Sequence, residues 1–267
     1  MSNIVCFSGG KDSTAMLIRM LELKMPIDRI VFADTGFEFP ELYEYIKKIE
    51  NYIGRKIEVV YPEKSFEDWF YGKTTRGKAE GQTRGFPLRI YPCYWSRESK
   101  IKPLTSLQKE GDNVYIGIAF DEQERMQKET KLIKYPLVEW RWTEQKCIDY
   151  LNEKNLFNPL YVNFDRLGCY FCPKQNEKSI YVLWKNYPEL WEKTKFWENE
   201  QKKLKGRTIF DKEMSYYEKR FEKGIVPKKL PKYVCWNGCE SVKKAFLLQQ
   251  TNLGCFNTKE IYRKYKG

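Results

Sequence analysis

The chain has 267 residues, with 48 Lys and Arg against 36 Asp and Glu, and it contains no histidine. This length gives one or two domains with a real hydrophobic core, and a composition that is 42% apolar and 16% aromatic excludes a disordered polymer. The missing histidine excludes Ser-His-Asp and Cys-His catalysis and every His-ligated zinc or haem, so a general base must be Asp, Glu, Cys, Tyr, Lys or the substrate. The net charge of +12 favours an anionic partner such as a nucleotide, nucleic acid or phosphate, against the plainer reading of a basic surface. Apolar runs such as Tyr115 to Phe120 fall far short of the roughly 20 residues of a membrane span. No secretory core precedes Ser8. No membrane partner and a reducing cytoplasm are therefore expected, where the eight cysteines act as thiols or metal ligands rather than disulfides.

In chain order, Ile4 to Phe7 predicts a short buried strand, ended by Ser8-Gly9-Gly10. A helix follows from about Ser13 to Lys24, with Leu17 and Leu21, and Met16 and Met20, at i,i+4 spacing, and Pro26 stops it. Ile30 to Ala33 predicts a second strand, Pro40 to Tyr52 a second helix, and Ile57 to Tyr61 a third strand. Strands alternating with helices argue for an α/β fold with a parallel sheet of right-handed βαβ units. Residues 72 to 92 interrupt this rhythm with four glycines among Lys73, Arg76, Lys78, Arg84 and Arg89, and read as a lid over an anion or a solvated loop. Asn113 to Phe120 supplies a further strand, and Thr143 to Lys154 a helix N-capped by Thr143 with an incomplete capping box, because Lys146 replaces the acid. Residues 1–176 thus form a sheet domain, and residues 177–267 a helical, lysine- and aromatic-rich extension packed on it. Within that extension Trp184, Tyr187, Trp191 and Trp197 have helical spacing and read as packing rather than as a base-stacking platform.

Ser8-Gly9-Gly10-Lys11-Asp12-Ser13 stands between the first strand and the first helix. A helix N-terminus offers unpaired N–H groups and partial positive charge. The glycines permit close backbone approach to a phosphate, the two serines add donors, and Lys11 adds charge. The spacing is not that of a Walker A loop, since Asp12 stands where Ser or Thr should follow the lysine.

This segment resembles the PP-loop of the ATP pyrophosphatases, the adenine nucleotide alpha-hydrolase superfamily. Phe32-Ala33-Asp34-Thr35-Gly36-Phe37-Glu38, Gly117-Ile118-Ala119-Phe120-Asp121-Glu122-Gln123-Glu124-Arg125, Tyr135-Pro136-Leu137-Val138-Glu139-Trp140, Asn158-Pro159-Leu160-Tyr161 and Gly168-Cys169-Tyr170-Phe171-Cys172-Pro173 resemble, in order, segments of its phosphoadenosine phosphosulfate (PAPS) reductase branch. The resemblance implies a Rossmann-like (HUP-type) doubly wound parallel sheet with the nucleotide across the carboxyl ends of the strands. It implies nucleotide contacts from Ser8, Gly9, Gly10, Lys11, Asp12 and Ser13, and from Asp34, Thr35 and Gly36, with Asp34 a candidate for magnesium or ribose. Gly117 would let the nucleotide approach the fourth strand, while Asp121, Glu122 and Arg125 would stand beyond it as substrate contacts or a lid.

Cys169-x-x-Cys172 suits one edge of a metal site or a redox dithiol. Cys93 stands where iron–sulfur relatives carry a Cys-Cys pair, but Tyr94 occupies the second place. By that resemblance Cys93, Cys169 and Cys172 would hold a [4Fe-4S] cluster, either completed by Cys239 (or Cys235 or Cys255) or with one iron open for sulfide or substrate. Zinc on Cys169, Cys172, Cys235 and Cys239, or unmetallated thiols, are the alternatives. Cys6 and Cys147 read as core residues.

The intact PP-loop and the lack of a C-terminal Glu-Cys-Gly-Leu-His tail point away from sulfonucleotide reduction and towards cleavage of ATP between its α and β phosphates. The expected enzyme is a PP-loop ATP pyrophosphatase that uses ATP and Mg2+ to adenylate its substrate, with Lys11, Asp12, Arg97 and Lys100 as catalytic groups. Sulfur from a donor protein would then displace AMP on a tRNA or DNA acceptor. The alternatives are reduction of PAPS or adenosine phosphosulfate (APS), and a non-catalytic cysteine-metal protein that binds nucleic acid.

Overall fold

A computed structural model describes residues 1–89, 92–126 and 132–227. Cys235, Cys239 and Cys255, and the lysines between 228 and 244, lie outside the described residues.

The apolar runs of the three central strands are largely buried, as the residues of a covered parallel sheet must be, while the edges are more exposed. β1 (Asn3–Phe7), β2 (Arg29–Ala33), β3 (Glu58–Val60), β4 (Asn113–Ile116) and β5 (Ile133–Lys134) form one parallel sheet in the order β3-β2-β1-β4-β5. Ile4 pairs with Arg29 on one side and Val114 on the other, so β1 lies at the centre. The connections run outward from β1 to β3 and then cross to β4, which opens a crevice beyond the carboxyl ends of β1 and β4. This is an α/β, Rossmann-like fold.

Helix α1 (Lys11–Glu22) begins two residues earlier than its apolar periodicity predicts, which draws Lys11 and Asp12 into the first turn. Helix α2 (Pro40–Ile53) opens with proline and ends at Gly54 in the left-handed region. Strand β4 stops at Ile116, four residues short of the expectation, because Gly117 passes directly over α1. A Cβ there would lie 2.7 Å from the Ser13 Cα and 2.8 Å from its backbone nitrogen. β5 carries no sequence signal: two residues suffice only because they add to a sheet edge already formed, pairing with Val114 and Tyr115.

Beyond α3 (Phe66–Tyr71), the segment around residue 100 consists of α4 (Tyr94–Ser96), a π turn over Arg97–Ile101 and α5 (Lys102–Ser106). α6 (Pro136–Glu139) and α7 (Glu144–Glu153) follow β5. α8 (Glu177–Asn186), α9 (Pro188–Lys205) and α10 (Met214–Glu222) supply the expected C-terminal helices. The hydrophobic core is continuous across residue 176. Phe66 is its hub, its ring centroid 5.1 Å from Phe37, 5.2 Å from Trp95, 5.4 Å from Phe171 and 5.0 Å from Trp197. Trp191 is buried, and Trp184, Tyr187 and Trp197 pack against the same core, in line with the packing reading. Among the described residues no helix is long and apolar enough to cross a membrane.

The end of the glycine-rich stretch after α3 is tied back to the helices. Gly85 N donates to the Phe70 carbonyl (2.9 Å), Arg84 N to the Gly72 carbonyl (2.8 Å) and Phe86 N to Gln201 Oε1 (2.8 Å). The Arg84 guanidinium lies 4.6 Å from the Trp69 ring and 5.2 Å from the Tyr94 ring.

Two substitutions test this packing. Phe66→Ala should destabilise the protein by about 3–5 kcal/mol and leave a single cooperative transition in chemical denaturation, since both parts share one core; separate transitions would contradict that. Gly117→Ala should lower stability by about 1–3 kcal/mol through backbone contact alone, measured as a fall in melting temperature.

Candidate nucleotide-binding site

The turn between β1 and α1 leaves the helix N-terminus open. Gly10 is the N-cap and offers no side-chain cap to the first turn of α1. Gly9 adopts φ +70°, and a Cβ there would meet Leu42 Cδ1 at 2.4 Å, which fixes glycine at this bend. Asn158 Nδ2 donates to the Gly9 carbonyl (2.9 Å) and thereby ties the bend to a segment 149 residues away. The hydroxyls of Ser8 and Ser13 lie 2.9 Å apart, and Ser8 N donates to Ser13 Oγ (3.1 Å). Tyr161 presents its hydroxyl to Lys11 N at 3.2 Å. Ser8, Gly10, Lys11, Asp12 and Ser13 all line one cavity of about 490 Å³, at the crevice the strand order opens.

Three carboxylates converge beside this loop. One oxygen each from Asp12, Glu122 and Glu144 lies within 4.8 Å of the others. Lys11, only 4% exposed, places its ammonium 3.0 Å from Asp12 and 2.5 Å from Glu144. Burial raises the Asp12 carboxyl above the usual carboxylate range, against the opposing pull of Lys11. Asp12 Oδ1 is buried and has no hydrogen-bond partner. An orphaned carboxylate oxygen within a set of hard oxygen donors suits Mg2+, so the residues present fit that ion. Glu144 owes its position to the start of α7: Thr143 Oγ1 accepts from Lys146 N (3.2 Å), and Asp121 Oδ1 accepts from Glu144 N (2.9 Å). Asp121 therefore braces the helix start, while its neighbour Glu122, paired with Arg125, lines the cavity. Cys147, buried as expected, has its thiol pushed up first by burial and then by the Asp12 charge.

Lys100 and Glu38 also line the cavity. Lys100 Nζ donates to Glu38 Oε1 (3.2 Å), which also accepts from Thr35 Oγ1 (3.0 Å). Burial would lower the Lys100 ammonium, but the Glu38 carboxylate beside it, with Asp34, raises it overall. Asp34 faces its own turn: Oδ1 accepts from Gly36 N (2.8 Å) and from the Tyr43 hydroxyl (3.0 Å). Asp34, Thr35 and Gly36 thus stand behind the cavity rather than on its lining, with Thr35 acting through Glu38. Arg97 points elsewhere, paired with Glu98 and 58% exposed. Glu38, Glu144, Asp165 and Arg166 line the cavity without having been given a role by the sequence; Glu144 was missed because an acid in a first helical turn reads as an ordinary complement to the helix dipole.

Cys169 holds its sulfur 3.6 Å from Thr35 Oγ1, and burial pushes its thiol up to about 12. Cys93 N-caps α4, accepting from Ser96 N at 3.4 Å, and burial raises its thiol as well. Thiols of this kind are the donors that a thiolate-bound metal takes. Among the described residues Cys93, Cys169 and Cys172 do not form a group with ligand atoms within 4.8 Å of one another, as the three carboxylates do.

The phosphoadenosine phosphosulfate reductase domain matches residues 2–175. A protein of uncharacterised function from Methanocaldococcus jannaschii is 33% identical over 213 residues, which is 73% of this chain and 40% of that protein, so the chain spans less than half the length of that relative. Among solved structures, the PAPS reductase of Candida auris in a phosphate complex has a TM-score of 0.46 at 18% identity, over 63% of this chain and 81% of its own. The U34-tRNA thiolase NcsA of Methanococcus maripaludis, solved with its [4Fe-4S] cluster, has a TM-score of 0.40 at 16% identity, over 87% of this chain and 84% of its own. With the sheet order, the open loop after β1 and a match over residues 2–175, the chain belongs to the phosphoadenosine phosphosulfate reductase domain family.

Proposed function

We propose that this chain is a PP-loop ATP pyrophosphatase that adenylates an acceptor and passes sulfur to it, the acceptor being a nucleic acid. The observation that carries this reading is the charge of the cavity, which four basic side chains (Lys11, Lys100, Arg125, Arg166) and five carboxylates (Asp12, Glu38, Glu122, Glu144, Asp165) line. A polyanion entering alone would meet the converging Asp12, Glu122 and Glu144 oxygens with like charge. A triphosphate escorted by Mg2+ would find a partner for each sign. This balance favours ATP over PAPS or APS.

In this reading the uncapped first turn of α1 and the Ser8 and Ser13 hydroxyls cradle the β and γ phosphates. Mg2+ held by Asp12, Glu122 and Glu144 would neutralise phosphate oxygens and ease departure of pyrophosphate. Lys11 follows the negative charge that builds on the leaving oxygens, and Tyr161 keeps its backbone in place. An acceptor oxygen attacks the α-phosphorus, pyrophosphate leaves, and the acceptor is left as an adenylate. Lys100, on the cysteine side of the cavity, orients the acceptor. Sulfur delivered from that side then displaces AMP, forming the carbon–sulfur bond as the carbon–oxygen bond breaks. The net charge of +12 suits a tRNA or DNA acceptor, and a sulfur-donor protein would supply the sulfur.

The full chain, purified anaerobically and given Mg2+, ATP and bulk tRNA or DNA, should release pyrophosphate. Lys11→Ala and Asp12→Ala should each reduce that release by on the order of 10²-fold; full activity in both would overturn the loop assignment. Thioredoxin-dependent sulfite release from PAPS would instead identify a reductase, and salt-sensitive nucleic-acid binding indifferent to ATP a non-catalytic binder. Lys100→Ala should lower turnover at least about tenfold, whereas Arg97→Ala should stay within about twofold of wild type, as expected for an exposed residue off the cavity.

A further inference from the structure

Resting on the nucleotide-binding reading, we propose that the Lys11 ammonium is the built-in counter-ion of the Asp12, Glu122 and Glu144 carboxylates, so that a divalent cation gains them only when a nucleotide phosphate draws Lys11 away. The cation and the nucleotide would then bind as an ordered pair, with the bare cation excluded.

The geometry carries this. The ammonium bridges Asp12 at 3.0 Å and Glu144 at 2.5 Å, and the three side chains are 6%, 15% and 13% exposed. It therefore occupies the side of the carboxylate group that a cation would need, and Arg125 covers Glu122. Two cations cannot share these oxygens at close range, because like charges in a partly buried site repel strongly. Asp12 Oδ1 remains unpartnered, so the lysine leaves one oxygen of the group unused. Lys11 sits in the first turn of α1, among the loop residues that would face the phosphates, and its flexible stem lets the ammonium swing from carboxylate to phosphate without moving the helix. The Glu144 backbone stays in place, since Asp121 and Thr143 hold the start of α7. The lysine thus acts as a placeholder. Its departure leaves a preformed cluster of carboxylates whose repulsion only a new cation relieves.

The test is direct binding of Mn2+ to the full chain without nucleotide, read from the loss of the electron paramagnetic resonance signal of aqueous Mn2+. Wild type should bind weakly, and Lys11→Met should bind at least tenfold more tightly with one site per chain. Adding Glu144→Gln to that variant should abolish the gain. Should Lys11→Met not fold, as judged by circular dichroism, Lys11→Gln, which keeps a hydrogen-bond donor to Asp12, gives the same comparison. Equal Mn2+ affinity in wild type and the lysine variant, or a gain that survives Glu144→Gln, would overturn the proposal. Binding of a fluorescent ATP analogue to wild type in the presence of Mg2+, measured in parallel, reports on the nucleotide reading separately. If that fails while the Mn2+ gain appears, the lysine is a counter-ion at a site with another ligand.

Discussion

Burying a lysine between two carboxylates at the mouth of a helix carries a desolvation penalty that mutual attraction offsets only when the geometry is held from several directions. Lys11 is held in that way. Its backbone is pinned by Tyr161, its ammonium by Asp12 from the same turn and by Glu144 from α7, and the turn itself by Asn158 on the Gly9 carbonyl. These partners are drawn from residues 12 to 161, so the site exists only once the sheet has closed around the crevice. Gly117 completes the enclosure by letting β4 run against the first turn of α1, where any side chain would push the two apart.

The cavity has two chemically distinct sides. Hard oxygen donors gather at the loop, and the Cys169 sulfur stands close to the Lys100–Glu38 pair. The Thr35 hydroxyl links the sides, meeting Glu38 at 3.0 Å and Cys169 at 3.6 Å. Under the proposed function, a magnesium–phosphate unit would suit the oxygen donors and a thiolate-bound metal or sulfur species the cysteines. The C-terminal helices support the chamber from outside through the aromatic hub at Phe66, without lining it.

Local chemistry was legible in the sequence wherever one segment suffices. The glycine-rich turn after β1, the first three strands and the helices between them follow from apolar periodicity and from glycine and proline positions. What depends on long-range placement was not legible. Glu144 lies 133 residues from Lys11, and nothing local distinguishes it from any acid in a first helical turn. Arg97 and Lys100 are three residues apart and would share a face of an α-helix, but the wider π turn over Arg97–Ile101 sends Lys100 into the cavity and Arg97 to solvent. Asp34 reads as a ligand contact from its place at a strand end, yet its carboxylate closes the turn that follows. The two-residue β5 has no periodicity to detect, because its stability comes from the edge it joins.

A crystal structure of the full chain with Mn2+ and a non-hydrolysable ATP analogue tests the central claim most directly. The account predicts terminal phosphates against the amides of residues 9 to 13, anomalous manganese density between those phosphates and the Asp12, Glu122 and Glu144 carboxylates, and the Lys11 ammonium moved from carboxylate to phosphate. Phosphates bound elsewhere, with Lys11 still bridging Asp12 and Glu144, would contradict it.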